Sequence, residues 1–202
     1  MIRIIDYKAG NAPSVMHAVK HLGFEAKFAR QAKDFGDATH IILPGVGSAK
    51  ATMDSLMSMN LPTKLEKMVL KRKIPFLGIC VGMQILFEYS QEDDVPCLGW
   101  LKGRVLKYDT NNVRVPQMGW NQVCFTKPTP IETQQDDHYY FVNSYYAKPE
   151  DTADIWATSE YGGEFCAAIN QENIYGTQFH VEKSGEAGLS LLKGFLSLER
   201  DK

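Results

Sequence analysis

Short apolar runs alternate with segments of helical periodicity through the first part of the chain. Strand-like runs rich in β-branched and other apolar residues lie at 2–5, 24–28, 40–43 and 74–79. Between them, apolar positions recur about one helical turn apart at 13–22, 53–59 and 61–70. Strands and helices alternating at this spacing predict a largely parallel sheet covered by helices on both faces, with the first run as a central strand.

The pattern changes after Ser90. Short strand-like runs separated by turns follow at 104–108, 122–125, 139–142, 155–158 and 166–169. They predict a smaller antiparallel element in the second half of the chain. A final strand at 174–179 and an amphipathic helix carrying Leu189, Leu192 and Leu196 complete the pattern. With no repeat or linker in between, the expectation is one α/β domain over residues 1–202.

Composition narrows the function classes. A net charge of −2 and a pI of about 6.2 argue against binding nucleic acid or anionic membranes through bulk charge. The four cysteines form no C-x-x-C pair, so neither a disulfide framework nor a zinc site is predicted, and no cofactor is expected. The start lacks a secretory signal and no apolar run approaches the roughly 20 residues of a membrane span. These features predict a cytoplasmic protein.

The apolar run at 74–79 leads into the pattern Gly78-Ile79-Cys80-Val81-Gly82. A buried strand, a sharp turn and a helix start in this order can lift a nucleophile above the sheet, and the glycines leave room for close strand–helix packing. A thiol in such a position can become a thiolate at neutral pH. The alternative is that Cys80 is a small buried hydrophobic residue, and this pattern alone leaves both interpretations open.

Two further segments favour the nucleophile. His180 ends a predicted strand, so it can act as general base to a thiol at the same sheet edge, and Glu182 can orient its ring. An oxyanion hole could come from bare backbone N–H groups of Pro44-Gly45-Val46-Gly47, at Gly47, together with the N–H of Val81. Taken alone, His180 would be interpreted as an ordinary histidine and residues 44–47 as an ordinary Pro-Gly turn.

The cysteine turn, read with Gln178-Phe179-His180-Val181-Glu182, resembles class I glutamine amidotransferases, which use a Cys-His-Glu triad on a flavodoxin-like fold. Within that class the chain resembles the HisH branch, the glutaminase subunits of imidazole glycerol phosphate synthase. The segments that carry this closer resemblance span almost the whole chain: Asp6-Tyr7 with Gly10-Asn11, Pro44-Gly45-Val46-Gly47, Met118-Gly119-Trp120-Asn121, Tyr140-Phe141-Val142 with Ser144-Tyr145, and Glu182-Lys183-Ser184.

The resemblance implies that Cys80, His180 and Glu182 hydrolyse L-glutamine to glutamate and ammonia. It further implies that ammonia passes to a HisF-like (β/α)8 barrel subunit in a heterodimer that makes imidazole glycerol phosphate for histidine biosynthesis. The implied glutamine-binding residues are Gly45, Gly47, Gln84, Glu92, Ser144 and Tyr145. The implied partner interface and ammonia exit comprise Asn11, Met118, Trp120, Tyr140 and Lys183. For Trp120 and Tyr140 the alternative is packing in the core.

The chain departs from the family pattern in several places. Gln117 and Asn143 stand where the family usually has histidine, Val181 replaces a proline, and Lys8-Ala9 replaces the usual Gly-x. The two lost histidines lie on segments expected near the partner, so they leave the triad intact but bear on which acceptor receives the ammonia. The alternative acceptor pathway is sugar amidation in surface-polysaccharide synthesis, served by a HisH-like paralogue.

Two other function classes remain open. One is a stand-alone cysteine peptidase or γ-glutamyl hydrolase on the same fold. The other is a non-catalytic scaffold that only binds a barrel subunit, against which the complete triad argues. His17 and His21 lie one turn apart on a predicted helix and could bind a metal, but no third ligand is apparent, so no metal site is predicted.

Overall fold

The computed structural model describes residues 1–8, 11–133 and 137–199. Ala9 and Gly10, which belong to two of the motifs above, lie outside the described residues. The strands are β1 (Ile2–Ile5), β2 (Ala26–Ala29), β3 (His40–Gly45), β4 (Phe76–Cys80), β5 (Tyr89–Ser90), β6 (Val95–Pro96), β7 (Gly103–Lys107), β8 (Gln117–Phe125), β9 (Asp137–Asn143), β10 (Tyr145–Pro149), β11 (Ile155–Glu160), β12 (Glu164–Gln171) and β13 (Ile174–Thr177).

Five parallel strands in the order β2-β1-β3-β4-β13 form the part of the sheet that carries the site. Strands β3 and β4 are buried along their full length, as expected for parallel strands that are covered on both faces. The predicted α/β class with a parallel sheet is therefore confirmed. β1 is an interior strand of this sheet. β4 and β13 are parallel neighbours, so the turn after β4 and the segment after β13 leave the same edge of the sheet.

The antiparallel strands continue this sheet instead of standing apart from it. β12 pairs with β13, and from β12 one branch runs through β10, β7, β5 and β6 while another runs through β11, β8 and β9. Within the first branch, the short strand β5 pairs with β7 in parallel. Four of these strands, β8, β9, β11 and β12, reach beyond the predicted runs, and β8 begins as early as Gln117. β5, β6 and β10 have no counterpart among the predicted runs.

The α-helices are α1 (Ala12–His21), α2 (Ala49–Ser58), α3 (Pro62–Glu66), α4 (Val81–Gln84) and α5 (Gly185–Leu196). The helix predicted over 61–70 is divided, because α3 ends at Glu66 and a π-helical turn covers Lys67–Lys71. α4 is also shorter than the apolar periodicity predicts. The carbonyl of Leu86 accepts hydrogen bonds from the N–H groups of Trp100 and Leu101, so the backbone after Gln84 binds a neighbouring loop and does not continue the helix. Across the described ranges, no helix has both the length and the apolar character to cross a membrane.

Candidate active site

The turn between β4 and α4 holds Cys80 in a conformation that few residues adopt. Its φ is +55° and its ψ is −112°, a combination that costs a non-glycine residue on the order of 1–3 kcal/mol. The turn persists because the backbones around it are in direct contact. A Cβ on Gly82 would lie 2.0 Å from the Leu43 carbonyl oxygen, and one on Gly78 would lie 2.4 Å from the Gly82 carbonyl oxygen. The two glycines of the predicted pattern are therefore required for close approach.

The thiol of Cys80 lies inside the protein, with only 4% of the residue exposed. Its Sγ accepts a hydrogen bond from Nε2 of Gln178 at 3.6 Å and lies 4.0 Å from the carbonyl oxygen of Val142. Gln178 belongs to the motif quoted above, but the sequence assigned it no role.

His180 and Glu182 form a buried pair beside Cys80. Nδ1 of His180 lies 2.8 Å from Oε1 of Glu182, and their side chains are 1% and 0% exposed. Nε2 of His180 has no hydrogen-bond partner among the described residues, so it is free to exchange a proton with a reacting group. Burial alone would lower the pKa of His180, but the neighbouring Cys80 and Glu182 groups outweigh it and raise the pKa to about 10. The two side chains therefore each stabilise the charged form of the other.

Asn11 contacts the same carboxylate. Its Nδ2 donates to Oε1 of Glu182 at 2.7 Å. Burial raises the pKa of Glu182, but the bonds from His180 and Asn11 outweigh burial, so the pKa is lowered overall. The sequence motifs pointed to a partner interface for Asn11, and nothing in the local pattern indicates a contact with a residue 171 positions away.

A cavity of about 420 Å³ opens on the thiol. This volume lies within the range of small-molecule sites. Five of the six predicted glutamine-binding residues line it together with both candidate reacting groups. The lining residues are Val46, Gly47, Cys80, Val81, Gln84, Glu92, Pro116, Val142, Asn143, Ser144, Tyr145 and His180. Gly45 does not line the cavity. A Cβ on Gly45 would lie 2.3 Å from the Gly82 nitrogen, so this glycine serves the packing beneath the thiol.

The loop after β3 is held at its start and free at its tip. The hydroxyl of Tyr7 donates to the Pro44 carbonyl oxygen at 3.0 Å, whereas Gly47 is exposed and has a φ of +91°. Glu92 reaches the first residue of α2, where its Oε2 accepts the N–H of Ala49 at 2.8 Å. Burial raises the pKa of Glu92. Gly47 therefore lies in a short segment whose two sides are fixed, at Pro44 by Tyr7 and at Ala49 by Glu92.

Gln84 links the cavity wall to the thiol. Its Nε2 donates to the Tyr145 carbonyl oxygen and to Oε1 of Gln178, each at 3.0 Å. Both amide hydrogens are therefore used inside the protein. Only the side-chain carbonyl oxygen of Gln84 is left to contact a ligand in the cavity.

The two departures from the family pattern are inward-facing. Gln117 and Asn143 are 3% and 6% exposed and lie opposite each other on β8 and β9. The hydroxyl of Tyr108 lies between them, donating to Oε1 of Gln117 and accepting from Nδ2 of Asn143, each at 3.2 Å. The expectation concerned the segments that carry these positions, and it stays a prediction; the structure adds that the two side chains themselves face inward. No sequence signal pointed to Tyr108.

The residues expected at a partner interface are mostly on the surface. Met118 and Trp120 are 66% and 56% exposed, and Lys183 is exposed, whereas Tyr140 is half-buried. Trp120 lies opposite Tyr140 on β8 and β9, and their rings meet edge to face at 6.1 Å. Core packing is therefore ruled out for Trp120. An interface role for these residues stays a prediction.

A second cavity, of about 450 Å³, lies between α1 and the start of α5. His17, His21, Glu182 and Lys183 are among its lining residues. Across residues 1–8, 11–133 and 137–199, no group of three or more His, Cys, Asp or Glu side chains is arranged to hold a metal ion.

Comparison with known proteins gives full-length matches. The family model described as "Glutamine amidotransferase class-I" matches residues 3–197. A protein named imidazole glycerol phosphate synthase subunit HisH from Leptospira borgpetersenii is 40% identical over 98% of this chain and 100% of its own length. A protein of the same name from Dehalococcoides mccartyi is 43% identical over 98% of this chain and 97% of its own length.

A solved structure has the same fold. The "Crystal structure of glutamine amidotransferase" superposes with a TM-score of 0.77, at 19% identity, over 96% of each chain. At this identity the likeness concerns the fold, and it agrees with the α/β class predicted from the hydrophobic pattern.

Proposed function

Because this chain belongs to the class I glutamine amidotransferases and, among them, to the HisH subunits of imidazole glycerol phosphate synthase, we propose that it hydrolyses L-glutamine with Cys80, His180 and Glu182. The observation that carries the proposal is the strained Cys80 turn facing a cavity beside the buried His180–Glu182 pair. A buried hydrophobic cysteine would need neither the strain nor the paired imidazole.

In the first half of the reaction, the Sγ proton of Cys80 passes to Nε2 of His180, and the thiolate attacks the carbonyl carbon of the glutamine side-chain amide. The electron pair of the C=O bond moves to oxygen, and N–H groups at Val81 and Gly47 stabilise that oxyanion. His180 then gives its Nε2 proton to the amide nitrogen as the C–N bond breaks. Ammonia leaves, and the glutamyl group stays on the sulfur as a thioester.

In the second half, a water molecule attacks the thioester carbonyl. Nε2 of His180 removes a proton from that water, and the C–S bond breaks to release glutamate and regenerate the thiolate. Glu182 keeps the Nδ1 proton in place through the 2.8 Å contact and stabilises the imidazolium. Gly47, Gln84, Glu92, Ser144 and Tyr145 surround the bound glutamine.

The ammonia acceptor in the proposal is a HisF-like (β/α)8 subunit that binds the face carrying Met118, Trp120, Tyr140 and Lys183. An exposed tryptophan and methionine on one strand suit a protein interface, where aromatic residues and methionine are enriched. Direct transfer protects ammonia from protonation in water.

The proposal also includes a cytoplasmic setting, because all four cysteines are free thiols. It further includes a single domain over residues 1–202.

The proposal is tested by measuring glutamate release from L-glutamine by the chain in complex with a HisF-like subunit. Cys80→Ala is expected to reduce kcat by about a thousandfold or more, because the attacking atom is removed. A glutamine-mimicking electrophile should alkylate Cys80 in the wild type and in the matched control Cys124→Ala, which removes an exposed thiol. An active Cys80→Ala variant, or the absence of label on Cys80, contradicts the proposal.

The acceptor pathway is tested in cells. The gene is expected to restore growth of a histidine auxotroph that lacks its own HisH. Failure to rescue, with glutaminase activity retained beside a different barrel subunit, would favour sugar amidation. Release of amino acids from γ-glutamyl peptides by the isolated chain would favour the stand-alone hydrolase.

A further inference from the structure

A chain of buried hydrogen bonds runs from β8 to the cavity. It begins at Gln117, passes through the Tyr108 hydroxyl to Nδ2 of Asn143, and continues from Nδ2 to the Tyr145 carbonyl oxygen at 2.9 Å. Gln84 donates to that same carbonyl oxygen and also contacts Gln178, whose Nε2 reaches the Cys80 sulfur. The side chains of Gln117, Tyr108 and Asn143 are therefore connected to the residues around the thiol through the Tyr145 carbonyl group.

Tyr108 holds the cavity wall at a second point. Its backbone N–H donates to the Ser144 carbonyl oxygen at 3.2 Å, just beyond the β7–β10 ladder. Tyr108 thus fixes the segment 143–145 at two points. Its backbone N–H holds Ser144, and its hydroxyl holds Asn143, whose side chain in turn binds the Tyr145 carbonyl oxygen. All three residues of this segment line the cavity.

The ring of Tyr108 is fixed independently of its hydroxyl. It stacks on Tyr146 with centroids 4.9 Å apart and meets Tyr161 and Phe165 edge to face at 5.4 and 5.6 Å. Removing the hydroxyl therefore leaves the aromatic packing in place. What is lost is the link between Gln117 and Asn143.

We propose that Gln117, Tyr108 and Asn143 are positioning residues that hold the segment 143–145 in the shape that binds glutamine. The inference rests on the proposed glutaminase function. Because the three side chains act on the cavity wall and none of them contacts the Cys80 sulfur, their loss weakens substrate binding more than it slows the reaction of bound substrate. A buried network of this kind preserves a binding geometry only while each member has its partner.

Tyr108→Phe is the first test, measured as glutaminase kinetics of the complex with the HisF-like subunit. KM for glutamine should rise about fivefold or more, while kcat changes by less than about twofold. The matched control is Tyr161→Phe, which removes a hydroxyl from the same aromatic cluster. That hydroxyl donates to the Arg114 carbonyl oxygen at 2.5 Å and lies outside the network, so KM should be unchanged.

A double-mutant cycle provides the second test. Gln117→Met removes the acceptor of the Tyr108 hydroxyl and should also raise KM. The double variant should show a KM no higher than that of the worse single variant, because both changes break the same link. KM does not depend on the fraction of folded enzyme, so partial loss of folded protein does not imitate the result.

Several outcomes would overturn the inference. These are an unchanged KM in Tyr108→Phe, an equal rise in Tyr161→Phe, KM effects that multiply in the double variant, or failure of both single variants to fold, which would make the network a stability element only. A wild-type complex without glutaminase activity would instead refute the proposed function. The two failures are therefore distinguishable.

Discussion

Single side chains at the site have their properties set by partners that are remote in sequence. Oε1 of Glu182 receives both the His180 ring and the Asn11 amide, at 2.8 and 2.7 Å, and its side chain is fully buried. These partners lower the pKa of Glu182 despite its burial. A group with a lowered pKa in the folded state contributes stability above its unfolded pKa, and that contribution is lost as the pH falls through the folded pKa.

Glu182→Gln should therefore destabilise the protein in a pH-dependent way. At pH 7 the free energy of unfolding is expected to fall by about 2 kcal/mol, the size of a lost hydrogen bond to a charged group. At pH 4 the gap between wild type and variant should be smaller, because the unfolded carboxylate then binds a proton. Urea unfolding at both pH values measures the gap. The control Glu186→Gln alters an exposed carboxylate on α5 and should show no such change, and a gap that widens at pH 4 would contradict the argument.

At the scale of elements, the site depends on how closely β3, β4 and α4 approach one another. α4 has only four residues, so its start contributes a turn and a direction more than a helix dipole. The glycine pattern flanking Cys80 predicts close packing, and the physical reason is that a Cβ on Gly82 would lie 2.0 Å from the Leu43 carbonyl oxygen. The resemblance assigns Gly45 to glutamine binding, but in the structure Gly45 packs against the backbone of Gly82.

Gly82→Ala is expected to lower the free energy of unfolding by about 3 kcal/mol or more, because a Cβ there meets backbone atoms that cannot move alone. Thermal or urea unfolding measures the change. Gly36→Ala is the matched control. A Cβ on Gly36 would lie 3.8 Å from the nearest atom, the Lys33 carbonyl oxygen, and its φ is −58°, so the change should be within about 0.5 kcal/mol. Equal stabilities of the two variants would refute the packing explanation.

At the scale of the whole molecule, β8 carries both the exposed residues Met118 and Trp120 and the buried Gln117 of the hydrogen-bond network. Successive side chains of a strand point to opposite faces, so one strand can carry a surface patch and an inward-facing amide at adjacent positions. Trp120 and Met118 are two of the three large apolar residues that stay exposed in the described part of the chain, and the third is Met57 on α2. This placement favours β8 over α2 as the surface for the proposed partner, because β8 adjoins the site.

Trp120→Ala is therefore expected to weaken binding of a HisF-like subunit by about tenfold or more, as for a central aromatic residue of an interface. The stability of the isolated chain should change little, since the ring is largely exposed. Titration of the barrel subunit by calorimetry measures the affinity. Met57→Ala removes an apolar side chain of similar exposure and should leave the affinity unchanged, and equal losses in both variants would contradict a specific interface at β8.

The sequence by itself determined the alternation of strands and helices, the glycine-flanked cysteine and the strand-ending histidine with its nearby carboxylate. These follow from local rules, because periodicity and turn chemistry act over a few residues. Only the tertiary structure decided three contacts. Asn11 binds Glu182, Gln84 donates both amide hydrogens to groups inside the protein, and Gln117 and Asn143 both bind the Tyr108 hydroxyl. Each of these contacts joins residues from different elements, and hydrogen-bond partners across a sheet depend on register and strand order, which no local pattern encodes.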